Sequence, residues 1–105
     1  MSTLRVVGFD ISLTSTGMSD GVSTTVTQTS PGERLEARMD RIVRGCVSFA
    51  VASPLYGPEA CLAVIEWSAF SRTGPGHEEL SALRYMVLHR MWRLAVPVAT
   101  VPPST

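Results

Sequence analysis

The chain has 105 residues, of which 45% are hydrophobic and 17% are charged, a composition that excludes a disordered polypeptide and indicates one small domain. Nine acidic residues balance nine basic ones, and every basic residue is an arginine, so the net charge exerts no general attraction on nucleic acid. No apolar run reaches the roughly 18–20 residues that span a bilayer, and the N-terminus has no signal-peptide pattern. We therefore expect a single intracellular domain over residues 1–105 that has no membrane partner.

The first third of the sequence is typical of three antiparallel strands. Residues 4–11 are rich in β-branched side chains and are bounded by turn residues. Two further strand-like stretches, 16–19 and 22–29, are joined by a Ser-Asp-Gly turn. The second of these is rich in threonine, which suits an exposed edge strand.

From Glu33 the hydrophobic period becomes that of a helix. The apolar residues recur at three- and four-residue steps, which predicts a buried stripe. This stripe consists of Leu35, Met39, Ile42, Val43, Cys46, Val47 and Ala50. After a loop at 53–59, residues 61–67 form an almost continuous apolar run, typical of a central strand that is covered on both faces. Cys46 and Cys61 lack metal-ligand spacing, so we expect two buried free thiols.

A second helix is predicted from about Glu78 to Leu94, followed by a last strand over 96–101. The core stripe of this helix is Leu80, Leu83, Val87, Met91 and Leu94. A second apolar line occupies another face and consists of Tyr85, Leu88 and Trp92. A helix that is apolar on two faces is deeply buried or meets a partner. Because crossover helices place later strands parallel to the first, we predict an α/β fold with a mixed sheet. It has an antiparallel three-strand meander, then parallel strands joined by helices.

Two carboxylates stand inside the apolar strands. Asp10 ends the first strand and Glu66 nearly ends the fourth. If these strands are parallel neighbours, their axes lie about 4.8 Å apart, and the two charges repel by roughly 3 kcal/mol at an effective dielectric of 20. A divalent cation removes this repulsion, and ligation by oxygen alone suits Mg²⁺ or Mn²⁺. Pairs of such ions cut phosphodiesters.

Each of these residues also has a purely structural interpretation. Asp10 is equally suited to capping the turn that follows it, and Glu66 to an ion pair with an arginine. The hydroxyl run of Ser12, Thr14, Ser15 and Thr16 belongs either to turn chemistry or to donors for a phosphate beside the metal. With both acids at matching strand ends, the metal site is the favoured interpretation.

Three stretches in series resemble the RuvC-type Holliday-junction resolvases. VVGFDISLTSTG, at 6–17, is similar to their opening strand and turn. LAVIEWSAFS, at 62–71, is similar to their second acidic strand, and 76–105 resembles the next helix and strand in the phage-borne branch of the family. The resemblance implies a ribonuclease H-like fold, a homodimer, and Mg²⁺- or Mn²⁺-dependent cutting of branched DNA in the cytoplasm of a bacterial host.

The resemblance also assigns roles to single residues. Asp10 and Glu66 match the first two catalytic, metal-binding acids. Phe70 resembles an aromatic residue that stacks on a base of an opened junction, although an ordinary loop phenylalanine is the alternative. Arg72 would contact phosphate, unless it is simply solvated. The line of Tyr85, Leu88 and Trp92 would form the dimer contact.

One departure from the family pattern concerns the C-terminus. Resolvases of this type carry further acids on a helix after the last strand, and the sequence up to Thr105 shows no counterpart. We therefore expect a domain that is truncated there, lacks the last helix, leaves one face of the sheet thinly covered and cleaves weakly. One alternative is a non-catalytic dimerising remnant or regulatory module. Another is a fragment of a phosphotransferase of the actin and sugar-kinase type, whose phosphate loop DISLTSTG loosely resembles.

Overall fold

The computed structural model describes residues 4–52, 61–67 and 76–102. In chain order its elements are β1 (Arg5–Asp10), β2 (Ser15–Ser19), β3 (Thr24–Gln28), α1 (Leu35–Ala50), β4 (Cys61–Glu66), α2 (His77–Arg93) and β5 (Val98–Val101). Neither of the two helices in these ranges is long and apolar enough to cross a membrane.

The five strands form one mixed sheet in the order β3-β2-β1-β4-β5. β1 pairs antiparallel with β2, and β2 pairs antiparallel with β3. β4 is parallel to β1, and β5 is parallel to β4. The predicted meander and the predicted parallel crossovers are therefore both confirmed, and β1 lies at the centre of the sheet.

Two strands begin two residues later than predicted, whereas the starts of the other three agree within one residue. β3 begins at Thr24 rather than at Val22, because the carboxylate of Asp20 accepts hydrogen bonds from the amides of Val22 (2.9 Å) and Ser23 (2.8 Å) and so extends the turn. Val22 is 95% exposed as a result. β5 begins at Val98, two residues later than predicted.

The core lies between one face of the sheet and both helices. Its sheet side includes Val7, Phe9, Met18, Cys61, Ala63 and Ile65, and its helix side includes Met39, Ile42, Cys46, Leu83, Val87 and Met91. No described element covers the opposite face, which we call the open face. In β4 the side chains of Leu62 and Val64 are only half-buried on that face. The prediction that this strand is covered on both faces is therefore wrong for the described residues.

The predicted helix stripes are largely buried, with exceptions at their ends. Leu35, the first residue of α1, is 36% exposed. Val47, Leu80 and Leu94 are half-buried and pack against the margin of the core. The remaining members of both stripes are buried.

Arg5 joins the end of α1 to the start of β1. Its Nη1 donates to the carbonyls of Phe49 (2.8 Å) and Ala50 (3.2 Å), in the last turn of the helix, where carbonyls lack partners within the helix. Its Nε donates to Asp20 Oδ2 at 3.1 Å. Hydrogen bonds from the amides of Ser23 and Val22, together with Arg5, lower the pKa of Asp20 to about 2. The first strand, the hairpin turn and the first helix are thus fastened at one place.

Both cysteines are buried free thiols, as the sequence predicts. Burial raises the pKa of Cys46 to about 12. Burial also raises the pKa of Cys61, although the nearby Arg5 opposes this effect. Both side chains are therefore protonated at neutral pH and serve as small apolar core residues.

Candidate functional site

Asp10 and Glu66 lie side by side at the carboxyl ends of two adjacent parallel strands. Phe9 is in register with Ile65, and the two acids are the next residues along β1 and β4. Phe9 and Ile65 are buried against the helices. Because side chains alternate along a strand, both carboxylates project from the open face. The structure therefore brings together the two acids that the sequence singles out.

Both carboxylates are exposed, although they stand in apolar strands. The alternation of side chains along each strand explains this exposure, because it directs the carboxylates away from the core. The ion pairs among the described residues are Arg5–Asp20, Arg34–Glu36, Arg41–Glu33 and Arg44–Asp40. The arginine partner considered for Glu66 is not among them. The two negative charges therefore have no cationic side chain bound to them in the described part of the chain.

The turn after β1 is capped by hydroxyl groups rather than by Asp10. Ser12 Oγ accepts hydrogen bonds from the amides of Thr14 (3.3 Å) and Ser15 (3.2 Å). The buried Thr16 Oγ1 accepts from the Ser12 amide at 3.1 Å and donates to the Ser12 carbonyl at 2.7 Å. This is the turn chemistry considered for these hydroxyls. It leaves Asp10 free of a capping role in this turn.

The hydroxyls of Ser12 and Thr14 differ in their availability for further hydrogen bonds. Ser12 is half-buried and its oxygen already accepts two amides, whereas Thr14 is exposed at the tip of the turn. A role of either residue in binding DNA stays a prediction. Phe70 and Arg72 lie outside the described residues.

The two acids form the middle of a row that crosses the open face. The strand registers pair Asp10 with Gly17, Gly17 with Val26, and Glu66 with Val101. One side of the acid pair is thus bordered by a glycine, which places no side chain beside Asp10.

A depression of about 410 Å³ lies next to this row. Its lining includes Gly8 and Gly17 on neighbouring strands, together with Ser19, Val64 and Val101. Asp10 and Glu66 also line it. The absence of side chains at the two glycines makes this part of the sheet concave and allows a bulky group to approach the carboxylates.

Sequence reasoning missed a cluster that holds the chain directly after Glu66. The Trp67 amide donates to the Val101 carbonyl at 2.7 Å, and its ring meets Tyr85 edge-on with centroids 4.9 Å apart. The guanidinium carbon of Arg84 lies 6.0 Å from the centroid of the Trp67 ring. A tryptophan after the acid is visible in the sequence, but its partners on α2 follow only from the packing.

The second apolar line of α2 is largely at the surface. Tyr85 is 61% exposed and Trp92 is 73% exposed, while Leu88 is half-buried. The Trp92 ring stacks on His89 with centroids 5.8 Å apart. An exposed aromatic surface of this kind is typical of a face that meets a partner, and the dimer contact stays a prediction.

The strand order, the meander and the parallel β1–β4 pair define an α/β fold of the ribonuclease H-like type, as expected. More particularly, this is the RuvC-like fold. The structure of Thermus thermophilus RuvC in complex with a Holliday-junction substrate matches with a TM-score of 0.76 and 21% identity, over 95% of this chain and 65% of that chain. A second structure of the same protein matches with a TM-score of 0.73 and 22% identity, over 95% of this chain and 64% of that one.

The present chain thus spans slightly less than two thirds of the RuvC chains that it resembles. No protein-family model matches the sequence, and no curated protein matches it. At this level of identity the comparison shows the fold alone.

Proposed function

We propose that the chain is a RuvC-like endonuclease domain that cuts branched DNA, such as Holliday junctions, with the help of a divalent cation. The observation that carries this proposal is the position of Asp10 and Glu66 at the carboxyl ends of β1 and β4, each one residue beyond the paired Phe9 and Ile65, on the open face of a RuvC-like sheet. In open α/β sheets, ligands bind outside the carboxyl ends of the strands. The Holliday junction bound to the similar Thermus protein supports the substrate class.

The two carboxylates fit one Mg²⁺ or Mn²⁺ ion. They offer only oxygen ligands, and Mg²⁺ is usually held by one or two carboxylates together with waters and substrate phosphates. Asp10 and Glu66 would hold the ion, which supplies charge neutralisation at the phosphate and an activated water. Among the described residues no three His, Cys, Asp or Glu side chains could hold a metal together. We therefore expect weak metal binding and slow cleavage by these two acids alone.

The surroundings of the two acids suit the approach of a DNA backbone. Gly8 and Gly17 leave the sheet bare beside them, and Thr14 presents an exposed hydroxyl at the nearby turn. Ser12, Phe70 and Arg72 complete the set of DNA contacts that the family resemblance suggests.

Cleavage of a synthetic four-way junction in the presence of Mn²⁺ tests this function. We expect Asp10→Asn and Glu66→Gln each to abolish cutting and to weaken Mn²⁺ binding measured by electron paramagnetic resonance. Glu36→Gln, which removes an exposed carboxylate of α1, is the matched control and should cut like the wild type. Cutting that persists in both site variants would refute the assignment. A stable dimer without affinity for Mn²⁺ would favour the non-catalytic remnant.

We further propose a homodimer formed through the exposed line of α2. Tyr85 and Trp92 present large exposed ring surfaces on one helix, and aromatic residues are enriched at protein interfaces. Sedimentation should show a dimer for the wild type and a monomer for Trp92→Ser. Val22→Ser also removes an exposed apolar side chain, but from the hairpin turn, and should leave the dimer intact. A monomeric wild type would exclude this contact.

A further inference from the structure

A second concave region, which we call the arginine groove, lies between β3 and α1. It has a volume of about 480 Å³ and is lined by Val26, Thr27, Gln28, Arg41, Arg44, Gly45 and Ser48. Within the described part of the chain, none of the lining residues is a carboxylate. We infer that the arginine groove binds a phosphate group of a DNA backbone, away from the carboxylate pair.

The chemistry of the lining suits this ligand. Two guanidinium groups, from Arg41 and Arg44, occur with the amide of Gln28 and the hydroxyls of Thr27 and Ser48. All five side chains can donate hydrogen bonds. A guanidinium group matches the tetrahedral phosphate with two parallel hydrogen bonds. The groove therefore concentrates donors at one place on a chain whose net charge is zero.

The two arginines are held differently. Arg41 is fixed, because its Nη1 donates to the Gln28 carbonyl and to Glu33 Oε1, both at 3.2 Å, while its Nη2 pairs with Glu33 Oε2. Arg44 pairs with Asp40 at 3.1 Å, and both of these side chains are about two-thirds exposed. Because exposed ion pairs contribute little stability, Arg44 can turn to an incoming phosphate at small cost. Arg41 thus shapes the groove, and Arg44 supplies the available charge.

The groove and the carboxylate pair lie on different sides of the β3 edge of the sheet. Val26 belongs to the same row as Gly17 and Asp10 on the open face, whereas α1, which supplies Arg41 and Arg44, packs on the opposite face. A DNA strand that leaves the carboxylates therefore passes around the edge strand β3 to reach the groove. This step rests on the proposed function, and it assigns the groove to a phosphate that is separated from the site of cutting.

The arginine distribution also points to this region. The chain has no lysine, and four of its nine basic residues lie between positions 34 and 44. Arg34 pairs with Glu36 away from the groove, and Arg38 donates to the Leu13 carbonyl. Only Arg41 and Arg44 of these four line the groove. Any DNA contact made by α1 at this site therefore depends on them.

Salt-dependent binding of a fluorescent four-way junction in EDTA tests the inference without cleavage. We expect Arg44→Gln to reduce the slope of log K against log salt by about 0.9, the value for one duplex phosphate contact. Ser48→Glu places a carboxylate in the groove and should weaken binding further. Arg34→Gln removes the same charge from a side chain that is 86% exposed outside the groove. This control should keep the wild-type slope.

A set of junctions with single neutral methylphosphonate linkages locates the contact. The wild type should lose affinity at one linkage away from the nucleotides that flank the cut, and Arg44→Gln should show no further loss there. If Arg44→Gln and Ser48→Glu bind like Arg34→Gln, the groove is not a phosphate site.

The two proposals fail in distinguishable ways. Asp10→Asn should lose cleavage and Mn²⁺ affinity but retain the wild-type salt slope. An altered slope in Arg44→Gln, combined with undiminished cutting by Asp10→Asn, would support the groove and refute the carboxylate site. An unaltered slope, combined with loss of cutting by Asp10→Asn, would refute the groove and support the carboxylate site. Circular dichroism melts of each variant confirm that it is folded.

Discussion

Gly17 lies directly opposite Asp10 across the β1–β2 pair, and a β-carbon added to Gly17 would lie 3.9 Å from the β-carbon of Asp10. That separation is an ordinary van der Waals contact. The backbone of Gly17 does not have a positive φ either. A larger residue would therefore fit at position 17 without a steric clash or backbone strain. The main effect of the glycine is that no side chain covers the sheet beside the Asp10 carboxylate.

The first prediction is that Gly17→Val preserves the fold and impairs cutting. Valine favours strands and adds contacts on the open face, so the free energy of unfolding should rise by about 0.5 kcal/mol in urea titrations. The same side chain fills part of the depression, and junction cleavage should slow by about ten- to a hundredfold because the substrate is displaced. Gly17→Ala should give an intermediate rate. Full activity of Gly17→Val would show that the depression is not used.

The second prediction concerns the stability of the carboxylate pair itself. Two like charges on adjacent strands oppose each other, so Asp10→Asn or Glu66→Gln should raise the free energy of unfolding by about 0.2–1 kcal/mol in EDTA. Saturating Mn²⁺ should then stabilise the wild type but not Asp10→Asn, because a ligand that binds only the folded state increases stability. Urea titrations with and without Mn²⁺ measure both effects. A variant that is less stable in EDTA would instead indicate a structural role for the acid.

The third prediction is a dependence of stability on pH through Asp20. The pKa of this carboxyl is about 2 in the folded protein, below its ordinary value of 3.8. A lowered folded pKa gives a stabilisation that is complete above the unfolded value and is lost as the pH falls from about 3.8 through about 2. The difference in urea midpoint between wild type and Asp20→Asn should therefore be constant above pH 5 and should shrink towards pH 2. A difference that is independent of pH would contradict this assignment.

The fourth prediction concerns the contact between α1 and β3. A β-carbon on Gly45 would overlap Thr27 Oγ1 and would lie 3.3 Å from Met18 Cε. Alanine favours helices over glycine by about 1 kcal/mol, but overpacking costs about 1–3 kcal/mol. We therefore expect Gly45→Ala to lower the free energy of unfolding by up to about 2 kcal/mol. Adding Thr27→Ala should recover most of that loss, whereas recovery by Thr25→Ala would argue against this contact.

The architecture was largely predictable from the sequence because it depends on local patterns. The change from strand to helix period at Glu33 and the β-branched run at 4–11 identify the elements, and the crossover rule orients β4. The open face was predictable only in part. Leu62 and Val64 are as apolar as their buried neighbours, so the sequence of β4 does not show which of its side chains face the core. An apolar run of this kind predicts a strand that is covered on both faces.

The proximity of the two acids in the candidate site could be predicted from the sequence. Asp10 and Glu66 each end an apolar strand, and the parallel pairing of these two strands places them at the same edge of the sheet. The contacts of Arg5 with Asp20 and of Arg84 with Trp67 join residues 15 and 17 positions apart, and no local pattern indicates them. The sequence predicts the turn cap at Ser12 only as one of two alternatives, because a serine hydroxyl can cap a turn or bind a phosphate and only the fold decides between these uses.

Both helices pack on one face of the sheet, and the two acids project from the other. The interactions that maintain the hydrophobic core and the groups available for chemistry are therefore separate sets of side chains. This separation makes the chain suitable for protein engineering. The open face offers positions 10, 17 and 66 for combinatorial substitution, and libraries at these positions should yield mostly folded proteins with altered ligand preference.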